Sequence, residues 1–175
     1  FLANRQTQKT NTANWAGAHR LLTNRLAQAA VIQTTARSIL EEGLAYDRCL
    51  VGVVTDMDGF EQLADHDVLE PSQMRRVMRT QIDVVLDGGA GVLNADLPEV
   101  ADLAELCDGE VVLYSTEAAI EFTAAHRANT EVQHEGGRAV FIKGSNVVLA
   151  TGTQERVLGT LDALSLAGGK RPDAP

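Results

Sequence analysis

Apolar and polar positions fall in blocks along this chain. Three short aliphatic runs, at residues 29–33, 50–56 and 91–96, each end in polar side chains where a turn is expected: Gln33, then Thr55 and Asp56, then Asn94 and Asp96. Near-continuous aliphatic runs of this length predict buried parallel strands. In open α/β sheets ligands dock outside the carboxyl ends of such strands. The five polar residues are therefore expected along one rim of one sheet.

Helical periodicity fills the intervals. Trp15, Ala18, Leu22 and Leu26 recur at helical spacing before the first run. Residues 38–42 read as a short helix capped by Gly43. Pro71 opens the clearest helix, whose apolar stripe runs through Met74, Val77, Met78, Ile82 and Val85 before Asp87-Gly88-Gly89 ends it. A further helix carries Val100, Leu103, Ala104 and Cys107, and residues 110–114 form another strand. Strands alternating with helices predict a parallel, doubly wound sheet. The last third differs. Residues 138–142 and 147–150, joined by Lys143-Gly144-Ser145-Asn146, read as a hairpin, extended by a strand at 156–158. The expected organisation is an exposed lead-in at 1–13, one domain at 14–166 and a linker-like tail at 167–175.

Composition narrows the function. At 175 residues the chain can bury one real core, which must be mostly aliphatic because only 4% of residues are aromatic. A net charge of −9 argues against non-specific binding to nucleic acid or anionic membranes, yet leaves room for a phosphorylated ligand held locally. Cys49 and Cys107 show no CxxC pairing and read as two buried, reduced cysteines. No apolar run is long enough to span a membrane, and no extended apolar core follows Phe1 to Asn4 as in a signal peptide. A cytoplasmic location is the expectation. The chain starts without Met, which suggests a fragment, a processed product or missing leading residues.

Several segments together resemble a known family. Val31-Ile32-Gln33-Thr34-Thr35-Ala36-Arg37, then Gly43-Leu44-Ala45-Tyr46-Asp47-Arg48-Cys49-Leu50-Val51-Gly52-Val53-Val54-Thr55-Asp56, resemble the central ATP-binding domain of Mur-type ligases, in particular the Mur-like half of cyanophycin synthetase. The likeness continues through Gly91-Val92-Leu93-Asn94-Ala95-Asp96-Leu97-Pro98, Leu106-Cys107-Asp108-Gly109-Glu110-Val111 and Gly136-Gly137-Arg138-Ala139-Val140-Phe141, and ends near Lys170. It implies an α/β fold, Rossmann-like, with a mainly parallel sheet flanked by helices and a small antiparallel extension near 138–160. It also implies an ATP-dependent amide ligase, in which a carboxylate activated as an acyl phosphate is attacked by the amine of an amino acid or peptide substrate, with magnesium spreading the phosphate charge.

The departures are specific. No G-x-x-x-x-G-K-S/T loop occurs in the 175 residues, so nothing here would cradle the ATP phosphates. The family's metal-facing Glu aligns with Gln33, an amide in place of a hard carboxylate ligand. The Gly-Gly that follows the family's Arg has become Ser38-Ile39 or is shifted. Asp56 stands for a family Asn, and Glu61-Gln62-Leu63-Ala64 for the family's D-H-L-G, whose His helps hold a metal. Weakened magnesium chemistry follows, or a rearranged set drawing on Asp56, Asp58 or Glu61; the chain alone is expected to be inactive.

Each candidate carries a plainer alternative. Asn94 and Asp96 match the nucleotide-side N-A-D, or form an Asx turn capping the helix at Pro98. Thr55 and Asp56 would face the cofactor. Arg37, matching the family's Ala-Arg, could meet a phosphate or carboxylate bidentately, or pair with Glu41 or Glu42 on the surface. Gln33 and Glu61 are the metal-side candidates. The acidic stretch Asp56, Asp58, Glu61, Asp65, Asp67 and Glu70 would attract a cation or basic substrate, or is a solvated loop. His66 beside Asp65 and Asp67 lacks metal-ligand spacing with the other histidines. The serines lack a G-x-S-x-G context for a hydrolase. A degenerate ligase-like domain with an interaction or architectural role is the competing function, and a nucleotide sensor without turnover is a third. An exposed sheet flank predicts a homodimer or domain swap.

Overall fold

Six strands build one sheet whose spatial order repeats the chain order: β1 (Cys49–Val54), β2 (Val85–Asn94), β3 (Glu110–Ser115), β4 (Arg138–Lys143), β5 (Asn146–Thr151) and β6 (Gln154–Thr160). The first four pair in parallel, and β4, β5 and β6 pair antiparallel. In this computed structural model residues 13–116, 121–128 and 136–163 are described. The expected lead-in up to residue 12 and the tail at 167–175 lie outside them.

α1 (Trp15–Leu22) and α2 (Ala36–Glu42) precede β1, and α3 (Pro71–Met78), α4 (Thr80–Asp83), α5 (Pro98–Ala101) and α6 (Glu121–Ala128) fill the crossovers between the parallel strands. Phe60–His66 and Asp102–Leu106 are 3-10 turns. Local chemistry sets their ends. Thr35 and Ser38 form a reciprocal capping box for α2, and Gly43 stops it at a positive φ of 73°, with its N–H donating to the Ile39 carbonyl. Pro71 occupies the first turn of α3, behind a box made by Glu70 and Gln73.

The core lies on one face of the sheet. Val54, Leu93, Leu113 and Ala139 share a register row, and each is at most 4% exposed. Met74 and Val77 of α3, Ile82 of α4, Val100 of α5 and Leu103 pack with the first three of them. Ala139 joins Phe141, Val148 and Ala150 in a second cluster. The alternate row, Val53, Val92, Val112 and Arg138, points the other way. Val53 is 49% exposed, Val92 and Arg138 are half-buried and Val112 is buried, but none of them joins either cluster. The clustered core lies on the other face.

Four expectations are corrected. Residues 29–33 form no strand: they are irregular, and Val31 is 99% exposed. An aliphatic run becomes a strand only where a neighbouring edge accepts its hydrogen bonds, and none does so here. The helix from Pro71 does not reach Val85. It gives way to α4, and Val85 instead pairs with Cys49 at the start of β2. Asp87-Gly88-Gly89 is therefore no helix stop but part of an irregularity, since pairing jumps from Cys49–Val85 to Val51–Ala90. A Cβ at Gly89 would lie 2.5 Å from the Leu50 carbonyl oxygen, so only glycine fits. Thirdly, the strand order runs one way without the reversal that a doubly wound sheet requires. The predicted hairpin and its third strand form as β4, β5 and β6. Cys49 and Cys107 are unbonded, and half-buried rather than buried.

Candidate functional site at the carboxyl ends of the strands

Parallel pairing of β1, β2 and β3 brings their carboxyl ends to one rim, and short hydrogen bonds stitch that rim together. The Asn94 side-chain amide donates to the Thr55 carbonyl at 2.9 Å, tying the end of β2 to the end of β1. Asn94 Oδ1 accepts the Asp96 N–H at 3.0 Å, an Asx turn. The Asp96 carboxylate then accepts from the Thr116 N–H at 3.0 and 3.1 Å and from the Thr116 hydroxyl at 2.8 Å, which binds the rim to the end of β3. Thr55 donates its hydroxyl to Asp56 at 2.8 Å. Four of the five residues expected on this rim are thus gathered there; Asn94 makes the Asx turn but does not cap the helix at Pro98, whose N-cap is Leu97 with no side-chain cap hydrogen bond. Gln33 is not among them by way of a strand, because its segment pairs with none.

Sequence reading missed Tyr114 and Thr116. Tyr114 lies directly across from Asn94 in the β2–β3 register. Burial raises its phenol pKa above the ordinary value, and the negative charges of Asp56 and Asp96 raise it further. The phenol is therefore protonated at neutral pH. The signal was present: Tyr114-Ser115-Thr116 is a fourth polar end on an aliphatic run. With two carboxylates, an amide and a phenol, this rim suits a neutral, hydroxyl-rich or heteroaromatic group. It repels a polyphosphate.

Arg37 lies elsewhere. Its guanidinium grips Asp65 bidentately at 2.8 and 3.1 Å, donates to the Gln62 carbonyl at 2.6 Å and reaches Glu41 at 3.2 Å. The Asp65 carboxylate holds the Arg37 pKa above its ordinary value, and Arg37 in turn holds Asp65 below the usual carboxylate range. His66 closes the group, 3.3 Å from Glu41. The surface-pair alternative therefore holds, extended into a clamp of α2 on the 3-10 turn.

Part of the acidic stretch lines a cleft of about 480 Å³ between the loop after β1 and the start of α3. Asp58, Glu61, Glu99 and Arg75 line it together with the apolar Met57 and Phe60. Magnesium needs several hard oxygen ligands. Among the described residues no three His, Cys, Asp or Glu side chains are grouped to hold a metal ion, so Glu61 sits in no such group. No helix among them is long and apolar enough to cross a membrane.

No family profile matches the chain. Individual proteins do. The chain is 31% identical over 156 residues to a cyanophycin synthetase of Crocosphaera subtropica, which covers 87% of this chain and 17% of that protein. It is 33% identical over 128 residues to the Synechocystis cyanophycin synthetase, 71% of this chain and 14% of the relative. The Geminocystis herdmanii cyanophycin synthetase is 31% identical over 116 residues, 66% of this chain and 13% of the relative. The chain thus spans about a sixth of the first relative's length. Over most of its own length it is related to one segment of cyanophycin synthetase.

Proposed function

We propose that this chain is the nucleoside-facing part of an ATP-dependent amide ligase of the cyanophycin synthetase kind, with a Mur-type central domain, and that it is inactive by itself. The observation that carries the reading is the rim: the N-A-D residues that resemble the family's nucleotide side, Asn94 and Asp96, close the ends of β1, β2 and β3 into one polar edge. Asn94 and Tyr114 would receive the base or ribose, and Thr55 and Asp56 would border it. The amine-bearing amino acid or peptide would lie toward the acidic cleft at Asp58 and Glu61.

In such a ligase, ATP would supply the phosphoryl group that activates the acceptor carboxylate. The residues here fit the nucleoside end only. Carboxylates on the rim disfavour phosphate, the 175 residues contain no phosphate loop, and Gln33 offers an amide where a magnesium ligand would stand. This chain's contribution is to bind and orient, and the charge chemistry belongs to groups outside it.

A second reading is a ligase-like domain retained for interaction or architecture. One observation favours it: the Arg37 donors already serve Asp65, Gln62 and Glu41, so that guanidinium is not poised for a substrate.

Calorimetric titration of adenosine, ATP, and ATP with magnesium separates the two. The nucleoside reading expects adenosine and ATP to bind alike, with Asn94→Ala weakening both, and magnesium to help only after Gln33→Glu. Absence of any nucleotide binding at millimolar concentration leaves the architectural reading.

A further inference from the structure

Most hydrogen-bonding groups of the rim are committed to the rim itself. The Asn94 amide serves the Thr55 carbonyl and the Asp96 N–H, and the Asp96 carboxylate is occupied by the Thr116 N–H and hydroxyl. The Thr55 hydroxyl goes to Asp56. The Tyr114 hydroxyl is not committed in this way. It makes no hydrogen bond among the described residues, although the charges of Asp56 and Asp96 both act on it.

Its place in the sheet bears on what it can read. In the parallel register Tyr114 stands between Asn94 of β2 and Val140 of β4, and directly opposed residues point to the same face. That row presents an amide, a half-buried aromatic ring and an aliphatic side chain side by side. A flat group with apolar faces can lie along such a row. The hydroxyl adds a direction to the contact. Ionised Asp56 and Asp96 can only accept, so a phenol among them selects an acceptor atom on the ligand. A sugar hydroxyl has a donor for Asp56, whose carboxylate takes only the Thr55 hydroxyl. An unprotonated ring nitrogen has the lone pair that the phenol lacks a partner for.

We propose that Tyr114 is the specificity-determining residue of the rim, its hydroxyl donating to an unprotonated ring nitrogen of the nucleobase. Asn94 and Asp96 are then positioning residues that hold the strand ends around it. The inference rests on the nucleoside reading above and deepens it. A donor that gives up water and finds no acceptor in return costs affinity, so a base lacking that nitrogen is disfavoured.

Calorimetry on the 175-residue chain tests this with adenosine and the three deazaadenosines, each missing one ring nitrogen that can accept a hydrogen bond. The unaltered protein should bind one of these analogues roughly fivefold more weakly than adenosine, the loss expected for one neutral hydrogen bond. Tyr114→Phe keeps the ring. It should bind adenosine roughly fivefold more weakly and no longer distinguish that analogue from adenosine. Its melting temperature should not fall, because the missing hydroxyl has no partner in the chain. Asn94→Ala should instead weaken adenosine and every analogue by a common factor. If adenosine binds but no analogue is disfavoured, or Tyr114→Phe still discriminates, this inference falls while the nucleoside reading stands. If adenosine does not bind, both fall.

Discussion

Asp96 accepts both the backbone N–H and the hydroxyl of Thr116, the latter at 2.8 Å, across the gap between the ends of β2 and β3. One carboxylate thereby fixes how two turns stand relative to each other. Hydrogen bonds to a charged acceptor contribute about 1.5–3 kcal/mol each, against about 1 kcal/mol for neutral pairs. Asp96→Ala, which loses the backbone bonds as well, should therefore lower stability by roughly 3 kcal/mol, and Thr116→Val, which loses only the hydroxyl bond to the same carboxylate, by roughly 1.5 kcal/mol. Urea denaturation of the two variants checks the order; equal losses would mean the rim is held some other way.

The clamp at Arg37 predicts an acid dependence. Arg37 depresses the Asp65 pKa, so the folded state binds that proton less readily than the unfolded chain. Its stabilisation is present above the ordinary aspartate value of 3.8 and fades as pH falls through the depressed one. Both side chains are solvent-exposed, so the effect is small and screened by salt. Thermal melts between neutral pH and acid should fall more steeply for the unaltered protein than for Asp65→Asn. Molar salt should remove the difference.

Tyr114 predicts the opposite end of the pH scale. Its phenol pKa is raised by burial, Asp56 and Asp96, so the stabilisation is complete below the unfolded value of 10.0. It is lost as pH rises through the higher folded value. In ultraviolet absorption the chain should show one tyrosinate forming late, and Tyr114→Phe should abolish that phase.

The clustered core makes a paired prediction. Leu93 is 0% exposed and Val53 is 49% exposed. Leu93→Ala should cost about 2–5 kcal/mol, as core truncations do. Val53→Ala should cost under about 1 kcal/mol in the monomer, because little transfer free energy attaches to a half-exposed methyl pair. Comparable losses would mean the second face is covered.

Gly52 meets a backbone rather than a side chain. A Cβ there would lie 2.5 Å from the Gln81 carbonyl oxygen and 2.7 Å from a Val85 methyl. Gly52→Ala should destabilise by about 2 kcal/mol or more, since α4 must move away from β1 to admit it. Differential scanning calorimetry gives the shift directly.

Periodicity and turn residues by themselves determined much of this protein. They located β1, β3 and the β4–β5 hairpin to within a residue or two, the caps at Gly43 and Pro71, and four polar residues of the rim. Those features depend on neighbours close in sequence, where side-chain spacing and backbone preference act. Only the tertiary structure decided the rest. Residues 29–33 have the composition of a strand but pair with none of the described strands. Val85 left the helix because Cys49 offered it a partner, and the glycines after it became a close crossing rather than a stop. Arg37 met Asp65 across 28 positions instead of a ligand. Tyr114 entered the rim through its register with Asn94. Each of these outcomes depends on a hydrogen bond or contact with a distant segment, whose arrival local spacing does not encode.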